Sequence, residues 1–461
     1  MSAPDWMADA VFYQVFPDRF ANGDPGNDPP GVKPWGSEPT RDDFMGGDIQ
    51  GIIDHLGHIS DLGANALYLT PVFEAGTNHR YDATDYFAID HRLGDSDDFR
   101  RLIAEAHGRG IRVVLDGVFN HCGSQHPFFQ DVVARGEESE FVDWFSIQEF
   151  PVVSDPRRQP NYLTCSGCWY LPKWNAFNPA VRAHHLAVAR HWIDRGIDGW
   201  RLDVPYFVNK RFWREFRRAV KERGEDLVLV AEEWGSPEEW LQGDIADGTM
   251  NYTVRDVILG FTADRSLEAS EAAARLTGLQ ARIPAGYHHG MLNLLGSHDT
   301  ERVLTRHHGD VEAEKCAYTL MYALEGAPMI YYGDEVGMRG ENDPGCRGAM
   351  PWDKGEWDAG LLGHIRGLGR LRSGLPALRR GTQSVRALDP DTLLVARGHP
   401  DGPAVVVVHR GAGVTVDPRA LGAGRPGDRW TDHLGHRRMR GSFTIEGPGS
   451  LILTPDGGNG Q

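Results

Sequence analysis

Several short apolar runs in this chain end abruptly in charge. Asp116 and His121 close "VVLDGVFNH", Arg201 and Asp203 close "DGWRLDV", Glu232 follows "LVLVA", and His298 and Asp299 end "LNLLGSHD". Residues two apart in a strand point the same way, so Arg201 and Asp203 share a face, and a guanidinium beside a carboxylate favours its ionised form. An ionised carboxylate is a nucleophile. Glu232 follows an apolar stretch, where a carboxyl tends to keep its proton, as a general acid must. Two such carboxyls on neighbouring strands, about 5–5.5 Å apart, would attack an anomeric carbon and protonate the leaving oxygen in a double displacement with retention. His121 and His298 adjoin Asn120 and Asp299, which suits recognition of sugar hydroxyls. A single Asp at a strand end is commonly a helix cap or a turn residue; the whole set at the same end of successive strands is not explained that way.

The elements that must position these residues alternate. Apolar runs at 10–20, 66–73, 111–121, 196–205, 226–234, 248–254, 290–299 and 327–335 read as strands. Between them, "SDDFRRLIAEAHGRG" (96–110) repeats Phe99, Leu102, Ile103 and Ala106 at helical spacing, with Ser96 as expected cap and Gly108 or Gly110 as stop. A second helix is expected over 181–196, burying Val181, His185, Val188, Ala189, Trp192 and Ile193. Eight strand–helix units predict an α/β fold, a closed (β/α)8 TIM barrel whose active site lies at the carboxyl ends of its strands. The expected barrel covers 1–121 and 181–377. An irregular insertion of Pro, Gly and aromatics (122–180) follows the third strand, and residues 378–461 read as an antiparallel β-sandwich domain ending in a Gly-rich tail after Pro455.

The totals narrow the function classes. The 48 basic against 65 acidic residues give a net charge of −17, which disfavours nucleic acid, and no basic run offers a grip on phosphate. The N-terminus lacks the basic and apolar regions of a leader, and no stretch of about 18 apolar residues occurs, so a cytoplasmic protein without membrane contact is expected. Five cysteines make a disulfide framework unlikely, and Cys165-Ser-Gly-Cys168 lacks the second pair of a structural zinc site. A metal-dependent barrel hydrolase would want paired histidines after the first strand, and "VFPDRF" has none.

"DGVFNH", "GWRLDV", "VAEEW" and "LLGSHD" resemble, in order, the four signature segments of the alpha-amylase family of glycoside hydrolases; "YQVFPDRF" and "LPKWN" (171–175) are similar to its cyclomaltodextrinase, neopullulanase and maltogenic amylase branch. The resemblance implies Asp203 as nucleophile, Glu232 as acid/base and Asp299 as the group that grips sugar hydroxyls and helps distort the ring. Tyr81, Asp116, His121, Arg201 and His298 would complete the first sugar subsite. "VAEEW" aligns with Val-Gly-Glu-x-Trp, which selects Glu232 over Glu233, and strand alternation agrees. The chain departs from the branch in three places. The first strand begins near Ala10, where an additional N-terminal domain would precede it. Pro205, Tyr206 and Phe207 replace polar residues after the nucleophile, and Glu233 and Gly235 follow the acid. Tyr206 and Phe207 would then lie against the leaving sugar.

"ANGDPGND" offers Asn22, Asp24, Asn27 and Asp28, an oxygen-rich loop of the kind Ca²⁺ selects, although an Asx/Gly turn reads the same way. The branch's structural calcium would add Asp48 and the Gly46 carbonyl. The expected substrate is a small or cyclic α-glucan, with α-1,6 bonds as in cyclic maltosyl-maltose among those accommodated, because Trp144, Trp169, Tyr170 and Trp174 of the insertion would wall a pocket. Transglycosylation or isomerisation through the same covalent intermediate stays open, as do monomer and homodimer. A silent binding protein is disfavoured by the complete Asp203, Glu232 and Asp299 set.

Overall fold

Eight short strands run parallel in one sheet: β1 (Phe12–Val15), β2 (Ala66–Leu69), β3 (Arg112–Gly117), β4 (Gly199–Leu202), β5 (Val228–Ala231), β6 (Gly248–Thr249), β7 (Leu292–Leu294) and β8 (Ala327–Tyr331). Neighbours in sequence are neighbours in space, β8 pairs with β1, and a parallel bridge from Met250 to Leu292 joins the end of β6 to β7. The sheet thereby closes into a (β/α)8 barrel. The computed structural model describes residues 2–422 and 429–456, so the end of the Gly-rich tail, 457–461, lies outside the described residues. Among those residues no helix is long and apolar enough to cross a membrane.

The strands are shorter than their apolar runs. β1 stops at Val15 because Pro17, which has no N–H to give a ladder, opens a helical turn over Pro17–Phe20. Side chains alternate between two cores. Phe12, Tyr68, Val114, Val228, Val230, Leu292, Leu294 and Met329 fill the barrel, while Trp200, Leu202, Leu229 and Ala231 face the surrounding helices. That alternation, continued to the strand ends for Asp116 and Arg201 and one residue beyond them for Asp203 and Glu232, turns all four inward at the mouth.

The helix expected at 96–110 spans Ser96–Gly108, but its cap is Asp95 rather than Ser96: Asp95 accepts from the Asp97 and Asp98 amides while Asp98 accepts from Asp95. A carboxylate caps more strongly than a hydroxyl at this positive end. The helix expected at 181–196 spans Pro179–Ile193, capped by Asn178, and buries His185 and Trp192 while leaving Ile193 half-buried.

Two aromatics expected to wall a pocket belong instead to the packing of the segment between β3 and that helix. Trp174 is 2% exposed and stacks on Phe145 at 4.8 Å. Trp144 meets Phe128 edge-on at 5.0 Å. At the carboxyl end, β9 (Thr382–Asp389), β10 (Thr392–Gly398), β11 (Ala404–His409), β12 (Gly413–Val416), β13 (Arg429–Asp432), β14 (Arg437–Arg440), β15 (Phe443–Glu446) and β16 (Gly449–Pro455) are antiparallel. Val405, Val407, Leu451, Leu453 and Trp430 pack with Val416, Phe443 and Ile445 of the β12–β15 pair, and Val406, Val408 and Ile452 turn to the barrel's helices.

Candidate active site

One guanidinium organises the mouth of the barrel. Arg201 Nη1 donates to Asp203 Oδ1 at 2.8 Å and to both oxygens of Asp116 at 3.0 and 3.1 Å, and its Nη2 lies 2.9 Å from Glu232 Oε2. Asp203 follows β4 and Glu232 follows β5, and the strand ladder holds both, Asp203 N–H donating to Gly117 O and Glu232 N–H to Leu202 O. The expected apolar setting of Glu232 is absent. Besides Arg201, the Val204 amide donates to its Oε2 at 2.9 Å and Trp234 Nε1 to its Oε1 at 3.0 Å. Val204 takes φ +34°, a left-handed conformation that strains a β-branched residue and aims its amide at the acid. Burial pushes the Asp203 carboxyl well above the ordinary carboxylate range; Arg201 pulls it down, and the charges of Glu232, Asp116 and Asp299 push it up again. Asp299 is raised by burial too, against Arg201 and Arg347. Asp116, Asp203 and Asp299 thus hold protons more tightly than they would in water.

Glu233 does something else. Its Oε1 accepts from the Gly235 and Ser236 amides at 2.7 and 3.1 Å and its Oε2 from Trp240 Nε1 at 2.6 Å, so it ties down the turn after β5.

A ring pair forms the floor beside the carboxyls. Tyr81 and His298 lie parallel, 5.6 Å apart, with Tyr81 OH also donating to Asp116 at 2.9 Å. Gln14, the one polar residue of β1, meets His298 Nδ1 at 2.7 Å. Burial, together with Arg347 and Arg201, holds His298 well below the usual histidine value, so the ring is neutral. His121 is held to about 3 by burial; Asn120 lies 3.1 Å from its Nδ1, and its buried Nε2 has no partner. That nitrogen is a free donor for a hydroxyl. Asp116 and Arg201 are 1% exposed and sit beneath the cavity, where Asp116 also accepts from Tyr68 OH at 2.6 Å. They hold other groups in place instead of facing a ligand.

The cavity above measures about 740 Å³ and is lined by Asp203, Glu232, His298, Asp299, Trp169 and Tyr170, among others. Tyr206 and Phe207 are not on its wall. They stand at the rim, 45% and 44% exposed, with Phe207 under the Lys173 ammonium. Arg347 had no signal in the sequence, lying in an irregular loop after β8. Its Nε donates to the His298 carbonyl at 2.9 Å and its Nη2 reaches Asp299 at 3.5 Å.

The oxygen-rich loop after β1 folds back on residues 46–48. Asn22 Nδ2 donates to Asp28 Oδ1 at 2.8 Å, the Gly23 and Asp24 amides donate to Asp48, and a side chain on Gly46 would come within 2.2 Å of Asp28 Oδ1. Asn27 Nδ2 points to Asp48 at 3.4 Å. The amide oxygens of Asn22 and Asn27 are buried without a donor, the condition a hard cation relieves. Asp24 and Asp48 are partly occupied, as caps accepting from Gly26 and Gly51.

A model of the alpha-amylase catalytic domain matches residues 14–364. The chain is 46% identical over 408 residues to a cyclomaltodextrinase of Geobacillus thermopakistaniensis, covering 88% of this chain and 69% of that one. It is 42% identical over 462 residues to neopullulanase 2 of Thermoactinomyces vulgaris, covering 98% and 77%. Among solved structures, the cyclic α-maltosyl-(1→6)-maltose hydrolase of Arthrobacter globiformis, in complex with cyclic α-maltosyl-(1→6)-maltose, superposes with a TM-score of 0.93 at 61% identity, over 98% of this chain and 100% of that one.

Proposed function

Since the chain belongs to the alpha-amylase family of glycoside hydrolases, we propose that it hydrolyses small or cyclic malto-oligosaccharides, α-1,6 bonds of cyclic maltosyl-maltose among them, by double displacement. The observation that carries the chemistry is the single guanidinium shared by Asp203 and Glu232 at 2.8 and 2.9 Å. Asp203 attacks the anomeric carbon while Glu232 gives its proton to the glycosidic oxygen; Glu232 then takes a proton from water as that water displaces the ester. Arg201 steadies the carboxylate charge that appears as each step proceeds. Neutral His298 and His121, with Asp299 held by Arg347, supply donors and acceptors for the hydroxyls of the reacting sugar.

The size preference follows from the cavity. Its volume of about 740 Å³ lies in the range of pockets that enclose a compact ligand, and Trp169 and Tyr170 close one side where a polymer groove would run on. The rings of Tyr206 and Phe207 at the rim give a leaving sugar apolar surface without fixing the direction of its hydroxyls, which suits the extra rotatable bond of an α-1,6 link. The similarity to a hydrolase of cyclic maltosyl-maltose supports that choice.

A structural Ca²⁺ belongs to the same proposal, held by Asn22, Asp24, Asn27, Asp28, Asp48 and the Gly46 carbonyl. It would brace the loop and take no part in the reaction. A cytoplasmic monomer or homodimer is proposed as well, the five free thiols suiting a reducing compartment.

Specific constants measured over starch, pullulan, cyclomaltodextrins and cyclic maltosyl-maltose, with products separated by chromatography, test the reading. The small cyclic sugars should give the highest values. Starch ranking first would refute the size preference, strict α-1,4 cleavage would refute the linkage, and transfer products outweighing hydrolysis would make the enzyme a transglycosylase.

A further inference from the structure

Cys165 and Cys168 flank a sharp reversal on the wall of the cavity that holds the carboxyls. The two residues between them both lie in the left-handed region, Ser166 at φ +50° and Gly167 at φ +79°, and the Cys168 amide donates to the Cys165 carbonyl at 2.9 Å. Positive φ at both central positions with that bond defines a type I′ turn, which holds its outer Cα atoms within about 7 Å. Disulfides span Cα separations of about 4.4–6.8 Å, so the turn holds the two backbones within the span a disulfide bridges. Both thiols are free, Cys165 buried and Cys168 half-buried, whereas Cys122, Cys316 and Cys346 are all buried. The same backbone carries Trp169 and Tyr170: Leu171 N–H donates to Cys168 O at 2.9 Å, and Cys165 N–H to Leu171 O at 3.0 Å.

We propose that Cys165 and Cys168 form a thiol–disulfide switch on the substrate cavity, closed by a low-molecular-weight disulfide and reopened by thiols. Cys168, the more accessible, attacks one sulfur of oxidised glutathione as its thiolate; the glutathione S–S bond breaks and one glutathione leaves as thiolate. Cys165 loses its proton to solvent and attacks the Cys168 sulfur of the mixed disulfide, expelling the second glutathione. Two protein thiols are oxidised and one glutathione disulfide is reduced to two thiols. Burial pushes the Cys165 thiol up to about 11, which keeps it out of the first step and makes it the resolving partner. Forming the covalent bond tightens the turn and displaces Trp169 and Tyr170 from the positions in which they meet a sugar.

The full-length enzyme is treated with excess oxidised glutathione, remaining thiols are trapped by alkylation, and digests are mapped by mass spectrometry beside kinetics on a cyclomaltodextrin. The expected result is a Cys165–Cys168 link, a KM raised roughly threefold or more with a smaller change in kcat, and full reversal by dithiothreitol. Cys168→Ser should abolish the response to oxidant, and Cys165→Ser should stop at a glutathione adduct on Cys168 that the mapping reads in place of the link, whatever their own starting activity. Unlinked cysteines after oxidation, a linked enzyme with unchanged KM, or equal sensitivity in Cys168→Ser would overturn the switch. The mapping reads the link without any substrate, so failure of the sugar assignment would be seen separately, as absence of turnover in the reduced enzyme.

Discussion

The division of labour between two adjacent glutamates is the sharpest residue-scale consequence of strand alternation. Glu232 continues the inward face of Val228 and Val230, while Glu233 turns outward and caps a turn through three donors. Glu232→Gln should therefore lose turnover on ordinary glucans yet regain part of its first step on a substrate whose leaving group needs little protonation. Glu233→Gln should keep kcat within a few-fold and lose about 1–3 kcal/mol of stability, because an amide nitrogen now faces donors. The reverse pattern in parallel kinetics and melting would reassign the acid. Asp203→Asn should lower kcat by several orders of magnitude while calorimetry still detects sugar binding, and near-normal turnover would end its role as nucleophile. The inward carboxyls could be found from the sequence because charge ended apolar runs at even spacing. Gln14 left a fainter mark of the same kind, a lone polar residue inside "FYQVF". Arg347 left none, since its loop has no period from which a direction can be read.

Elements carry strains that their local sequences do not show. The helix Val311–Ala323 buries Glu314 completely, with neither oxygen hydrogen-bonded, and burial followed by the charges of Asp334 and Asp358 pushes its carboxyl well above the normal range. A raised folded value means the stability is present below the unfolded value and is lost as pH rises towards the folded one, because the unfolded chain releases a proton that the folded chain keeps. Glu314→Gln removes that loss. Its melting temperature should exceed that of the unaltered enzyme by an increasing margin from about pH 5 to pH 8, equivalent to at most about 1.4 kcal/mol per pH unit. A constant margin would show Glu314 titrating normally. The loop over 22–28 carries the opposite kind of signal, buried amide oxygens of Asn22 and Asn27 without a donor, on which the proposed calcium rests. Calcium should raise the melting temperature by mass action and leave kcat unchanged, and a chelator should reverse the gain. Unchanged melting with no metal in elemental analysis would remove the ion from the proposal.

At the scale of the whole molecule, the barrel was legible because each strand fills one core with alternate residues and abuts another with the rest, a pattern that survives in the bare sequence. The walls of the cavity were less legible. Trp144, Trp169, Tyr170 and Trp174 look alike along the chain, and only packing separates the two that line the cavity from the two that support the segment. The same packing buries many ionisable groups of both kinds, and their opposed titrations shape the stability. His79, His121 and His126 are each held to about 3, chiefly by burial. For a depressed histidine the stability is present above the unfolded value of 6.5 and is lost as pH falls towards 3, since only the unfolded chain takes the proton. Buried carboxyls work the other way over part of that window: Asp18, raised to about 6, and Asp334, raised to about 7, take protons in the folded state first. From about pH 6.5 down to about 4 these carboxyls therefore oppose the histidines' loss of stability, and below about 4, where Asp18 and Asp334 are protonated in both states, that opposition stops growing. His126→Asn isolates one histidine. His126 is 4% exposed, packs on Trp174 at 5.0 Å, and accepts from the Phe128 amide at 3.2 Å, a capping bond that asparagine can replace. The lost ring imposes a fixed cost at every pH. Against pH, however, the gap between variant and parent should close by about 1.4 kcal/mol for each unit below 6.5, as the variant no longer excludes a proton on folding. Denaturant unfolding of the pair at several pH values reads that slope, and two parallel curves would mean that His126 is protonated in the folded enzyme.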